Sequence, residues 1–157
     1  MPTPSILERS VEIAAPVEDV FAFHLDTRNA ALISPRATRV LEVLGDFPVT
    51  TGARVVMRMR QRPSPFAMSW RVRIDAVERP TRVVDVAERS PFASWRHEHL
   101  FQPLGPRRTL MTDRLVYVLP AGILGRVADR VFVRRQLAHA FAERQRLTKE
   151  LLEERAG

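Results

Sequence analysis

The chain has 157 residues, 45% hydrophobic and 27% charged, a length and composition that suit a single domain spanning 1–157 with one sizeable core. It contains no cysteine, which excludes disulfides and thiolate metal sites and fits a cytoplasmic setting. The formal charge of +7 is spread from Arg9 to Arg155 rather than gathered in one block, so a solvated basic surface is expected and no nucleic-acid partner.

The opening MPTPSILERSVEI has neither a basic start nor a continuous apolar stretch, and no apolar run reaches the length of a membrane span. No signal peptide and no stable membrane insertion are expected. Ile6 to Ala14 alternates and is rich in β-branched residues, the pattern of a strand. Pro16 then opens VEDVFAFHLD, with Glu18 and Asp19 in the first turn and Val17, Val20, Phe21 and His24 at helical spacing. A second short helix or turn covers Asp26 to Ile33 and ends at Ser34-Pro35.

Strands follow. Thr38 to Gly45 is one; after the Thr51-Gly52 turn, ARVVMRMRQ is another, with Met57 and Met59 on it. Phe66 to Val77 sets Met68, Trp70, Val72, Ile74 and Ala76 on one face and Ser69, Arg71, Arg73 and Asp75 on the other. Arg58, Arg60, Arg71 and Arg73 alternate with apolar residues and read as outer sheet surface. Thr81 to Glu88 is a further strand, and six or seven strands at this spacing indicate an antiparallel sheet.

Residues 93–102 and 109–119, separated by PLGPRR, form a hairpin. If paired positions sum to 212, Phe101 faces Met111, His99 faces Asp113, His97 faces Leu115 and Trp95 faces Tyr117. Glu98 then pairs with Arg114 on the outer side, and a one-residue slip would oppose apolar residues to polar ones. From Gly122 to about Glu154 no proline occurs. Leu124, Val127, Ala128, Val131, Phe132, Arg135, Ala138, Phe141 and Ala142 follow a 3–4 spacing, which predicts one long amphipathic helix of about 30 residues. Only the sheet is large enough to cover its apolar side, so the architecture is a curved antiparallel sheet wrapped around a C-terminal helix.

The stretch WRHEHLF places His97 and His99 on one strand face, about 6.5–7 Å apart along the strand. A catalytic zinc site needs a third ligand, and the inward candidates are His24, His139 and Asp113, with no glutamate beside the pair to act as base. The sequence therefore assigns no metal: His99 is expected to hydrogen-bond Asp113, with His97 in a polar corner of a cavity. No phosphate-binding loop, nucleophile elbow or Walker-type lysine is present.

Three blocks carry a family resemblance: VEIAAPVEDVFAFH, RVVDVAERSPFASWRHEHLFQPLG and TLMTDRLVYVLPAGILGRVADRVFVRRQLAHAFAERQ. Together they resemble the SRPBCC domains, START-related helix-grip proteins of the polyketide cyclase/dehydrase-like kind, in their bacterial single-domain subgroup. The resemblance implies an α+β helix-grip fold: a seven-stranded antiparallel sheet gripping a long C-terminal helix, with two short helices after the first strand. It also implies a cavity between sheet and helix for an apolar or aromatic small molecule, such as a lipid or polyketide, without a permanent cofactor.

Two functions follow. The first is a carrier or sensor whose cavity is lined by Met57, Met59, Trp70, Trp95, Tyr117 and Phe132, with His97, His99 and Asp113 supplying polar contacts. The second is a cyclase or dehydratase in which His97 or His99 is the general acid/base, Asp113 orients it, and Tyr117 or Arg135 stabilises an enolate. A docking module using the basic surface ranks third, because the arginines do not cluster. A monomer or homodimer is expected, the latter through an exposed edge strand.

Overall fold

The computed structural model describes residues 2–157. Strand β1 (Ser5–Ile13) leads into helix α1 (Val17–Leu25), which starts behind Pro16 with Glu18 and Asp19 in its first turn, and a 3-10 turn follows at Thr27–Ala31. Six strands come next: β2 (Thr38–Leu44), β3 (Arg54–Gln61), β4 (Ala67–Glu78), β5 (Arg82–Arg89), β6 (Ser94–Gly105) and β7 (Arg108–Val118). All pair antiparallel in one sheet of order β1-β7-β6-β5-β4-β3-β2, so consecutive strands are neighbours except at β1, which closes against the last strand. Register shifts between β4 and β5, at Arg71/Val72 and Ile74/Ala76, bend the sheet and give it a concave face.

The hairpin of β6 and β7 has the register that its contents predict: Phe101 opposite Met111, His99 opposite Asp113, His97 opposite Leu115 and Trp95 opposite Tyr117. Glu98 does face Arg114 across the ladder, yet its ion pairs go elsewhere, to Arg96 at 3.2 Å and Arg82 at 3.7 Å, while Arg114 reaches Glu8. Arg58, Arg60 and Arg71 lie exposed on the convex side.

The C-terminal helix differs from the expected uninterrupted rod. It runs as α2 (Gly122–Ala128), a π-helical turn at Asp129–Val133, and α3 (Arg134–Ala156). The buried positions are Gly125 and Asp129, then Phe141, Gln145, Thr148 and Leu152, with Leu137 half-buried between them. The wider π turn lets positions four apart keep facing the sheet, where an unbroken α-helix would rotate them away. The apolar residues taken to form the core stripe at the start of this helix are instead exposed: Leu124, Val127, Val131 and Phe132 all face out. What pins this end is polar. Asp129 accepts hydrogen bonds from Tyr117 Oη at 2.5 Å and Ser5 Oγ at 2.6 Å.

One core gathers Ile13, Phe21, Phe23, Val55, Ile74, Phe101, Met111 and Leu152 below α1, and a second gathers Trp95, Leu115, Tyr117 and Phe141 beneath α3. The turn from β7 into α2 is tight, with Ala121 at φ 67° and Gly122 at φ 53°. Gly125 then passes so close to it that a Cβ there would collide with the Pro120 carbonyl oxygen. Backbone cannot swing aside as a side chain can, so Gly125→Ala is expected to lower stability by about 1–3 kcal/mol in urea unfolding. Gly105→Ala, which meets nothing within 4 Å, should leave the midpoint unchanged and serves as the control.

Candidate functional site: a histidine–aspartate cluster on a cavity floor

Between the concave face, the 3-10 turn and α3 lies a cavity of about 240 Å³. Its walls include Met57 and Met59 from β3, Trp70 from β4, Trp95 from β6, and Leu137 and Phe141 from α3. Trp70 and Trp95 meet edge to face at 5.0 Å, a geometry that fixes both rings. The indole Nε1 of Trp70 is buried and has no hydrogen-bond partner among the described residues.

The polar end is built from three adjacent strands. His97 and His99 point inward from β6; β5 places Asp85 opposite His97, and β7 places Asp113 opposite His99. The two imidazoles lie 3.9 Å apart between ring centres. Asp113 Oδ1 accepts from His97 Nε2 at 2.7 Å and lies 3.2 Å from His99 Nδ1, though that contact is poorly aligned. On the opposite ring edges, Asp85 Oδ2 lies 3.3 Å from His99 Nε2 and 3.8 Å from His97 Nδ1. Gln145 on α3 completes the cluster, donating from Nε2 to Asp113 Oδ2 at 2.7 Å and to the Arg9 carbonyl at 2.8 Å.

The expected His99–Asp113 bond is therefore a shared arrangement, in which His97 holds the shorter bond to Asp113 and His99 bonds Asp85. Burial works against a charge on Asp113, but the hydrogen bonds from His97 and His99 outweigh it and hold the carboxyl well below its usual range. Burial likewise opposes a charge on His99, and the carboxylates of Asp113 and Asp85 on either side of the ring override that and raise its pKa. His97 is lowered, by burial and by the neighbouring His99. His24 donates from Nδ1 to the Val20 carbonyl at 2.7 Å, and burial together with His99 lowers its pKa to about 3. The cluster thus favours a proton on His99, between two carboxylates, over one on His97 or His24 beside it.

Of the residues singled out from the sequence, Met57, Met59, Trp70, Trp95, His97 and His99 converge on this cavity, and Asp113 lies directly behind the histidines. Three do not belong to it. Tyr117 is buried behind Trp95 with its hydroxyl on Asp129; Phe132 is 62% exposed; Arg135 is on the solvent side of the helix. The last two follow from the π turn and the outward apolar residues around it. His139 is exposed and cannot serve as a third ligand. Sequence reading missed Asp85, Gln145 and Arg144, the cation that lines the cavity from α3. Asp85 was within reach: the β5–β6 pairs Val83–His99 and Asp85–His97 both sum to 182, the same arithmetic that fixed the hairpin.

A family model described as polyketide cyclase/dehydrase and lipid transport matches residues 5–153. No curated protein matches the chain significantly. Among solved structures, the di-domain ARO/CYC StfQ from the steffimycin biosynthetic pathway superposes with a TM-score of 0.77 at 16% identity, over 99% of this chain and 53% of that one. The chain thus spans about half the length of StfQ. The protein TTHA0849 from Thermus thermophilus gives 0.75 at 18% identity, over 98% and 100% of the two chains. A norcoclaurine synthase point mutant from Thalictrum flavum, in complex with a transition-state analogue, gives 0.74 at 12% identity, over 100% and 99%. These likenesses establish the helix-grip fold. Among the described residues no helix is long and apolar enough to cross a membrane.

Tyr117 is the chain's single tyrosine, so its ionisation can be followed alone by ultraviolet absorbance. Burial and the bond to Asp129 push it up to about 12 from the ordinary 10. Because the fold favours the neutral phenol, its contribution is fully present below pH 10 and is lost as pH rises towards 12. Titration should show tyrosinate forming near pH 12, and Asp129→Asn should bring the transition back towards 10. A wild-type transition already at 10 would contradict the Tyr117–Asp129 bond.

Proposed function

Because the chain belongs to the polyketide cyclase/dehydrase and lipid transport family, we propose that it binds an aromatic or otherwise apolar small molecule between the sheet and α3, as a carrier or sensor. The observation that carries this reading is a cavity with indole, thioether and phenyl walls in which His97, His99 and Asp85 gather as a polar cluster. Ligand pockets are built this way, with apolar area supplying affinity and a few polar groups setting orientation. The orphaned Trp70 Nε1 would donate to an oxygen on the ligand, which favours a phenol or ketone over a plain hydrocarbon. Asp113, shielded behind the histidines, is a positioning residue on this reading.

A second reading, a cyclase or dehydratase, draws support from the acid–base pair itself. In removing water from a β-hydroxyketone, a base takes the α-proton while an acid protonates the departing hydroxyl. Asp85 and protonated His99 would supply those two roles from adjacent positions. StfQ, an aromatase/cyclase by its name, shares the fold. Tyr117 and Arg135 have no part in this version, since neither reaches the cavity.

Titration with a polycyclic phenol, read through the emission of Trp70 and Trp95, tests the binding reading. Saturable quenching is expected, with affinity about tenfold weaker in Trp95→Leu, the loss of roughly 1.4 kcal/mol. Phe132→Ala should bind as the wild type does. The absence of saturable quenching across phenolic and fatty ligands would sink the proposal. Turnover of a β-hydroxyketone that disappears in His99→Gln while phenol affinity survives would shift the assignment to the enzyme.

A further inference from the structure

We infer that Asp85, His97 and His99 form a site for a divalent first-row transition-metal ion, with Asp113 as the outer carboxylate that orients both histidines. One oxygen of Asp85 and one nitrogen from each imidazole lie within 4.8 Å of one another. In a tetrahedral site with metal–ligand bonds of about 2.0–2.1 Å, ligand atoms stand roughly 3.3–3.4 Å apart. Asp85 Oδ2 is 3.3 Å from His99 Nε2 and 3.8 Å from His97 Nδ1, so the ligand atoms need only small shifts to close on an ion.

The opposite edges of the rings matter as much. Metal-bound imidazoles usually give their second nitrogen to a carboxylate, which fixes the ring and its tautomer. Here a single oxygen of Asp113 serves both: it lies 2.7 Å from His97 Nε2 and 3.2 Å from His99 Nδ1. His99 Nδ1 is buried without an aligned partner, and a slight rotation of the ring towards an ion on its other side would align it with Asp113. Gln145 in turn holds the second oxygen of Asp113 at 2.7 Å. Ligand, orienting carboxylate and the support of that carboxylate are all present.

Charge points the same way. Two carboxylates meet two imidazoles in a buried cluster, and a dication would balance the two carboxylates. Two imidazoles and one carboxylate favour zinc, iron(II), cobalt or nickel over calcium or magnesium, which prefer oxygen-only sites. Three protein ligands leave positions open towards the cavity, as in metal sites that take a substrate or water rather than in closed structural ones. The metal site does not depend on which organic molecule the cavity holds.

Tag-free protein stripped with a chelator and titrated with Co²⁺ alone gives the first test. One equivalent should bind, with the intense visible d–d absorption of low-coordinate cobalt, and Zn²⁺ should displace it. Asp85→Asn and His99→Gln should each weaken binding by at least tenfold, and Asp113→Asn by about 10–100-fold, while exposed His139→Ala changes nothing. If a variant does not fold, the wild type still decides. The chain has four histidines, and Zn²⁺ should move the imidazole nitrogen signals of His97 and His99 but not that of His139. No cobalt spectrum at millimolar metal, binding that both ligand variants retain, or signal changes confined to His139 would each overturn the site.

Discussion

Asp113 keeps a negative charge in the interior with 4% of its surface exposed, and much of the molecule is arranged around that fact. An isolated carboxylate there would cost several kcal/mol, so every lone pair must meet a donor. His97 and His99 take one oxygen from β6, and Gln145 takes the other from the helix. A strand pair, its neighbour β5 and the C-terminal helix are therefore tied to one side chain. Removing Gln145 would leave Asp113 Oδ2 without a donor in the interior, a cost that a lost apolar contact does not carry.

The same constraint shapes the cavity. A floor that must stay polar cannot be filled with packed hydrocarbon, so the space above it remains available, and the aromatic walls are held apart by the curvature of the sheet. Tryptophans at 70 and 95 brace each other through edge-to-face contact instead of collapsing onto the histidines. The proposed binding, proton transfer and metal ligation would all draw on this one juxtaposition of an apolar chamber with a polar cluster.

Most of the architecture was legible from alternation and from turn residues, because a half-buried strand writes its buried face into every second position. The β6–β7 register was legible for the same reason, since only one pairing puts Trp95, Phe101, Met111 and Tyr117 together. The C-terminal helix was misread at its start because apolar periodicity treats burial as a property of apolar residues. Here Asp129, Gln145 and Thr148 are buried alongside Phe141 and Leu152, each of the three hydrogen-bonded to a specific partner, while Leu124, Val131 and Phe132 face out. Asp85 escaped notice because its relation to His97 crosses the bends at 90–93, where no short turn announces a register. Hydrogen-bonded polar cores leave almost no periodic trace, and they are where the candidate site lies.

Gln145 spends both amide hydrogens, on the Arg9 carbonyl and on Asp113, and further along α3 Lys149 reaches the Glu12 carbonyl while Glu153 accepts from the Ala14 amide. The long helix is thus riveted to β1 along its second half and cannot lift without stranding a buried charge. Opposite it, the cavity is roofed by the segment from Thr27 to Pro35, a short turn that Asn29 ties to the Phe23 carbonyl and Ile33 anchors in the core. The two sides of the chamber are therefore held by different means, hydrogen bonds from α3 to the first strand on one side and a single core isoleucine, Ile33, on the other.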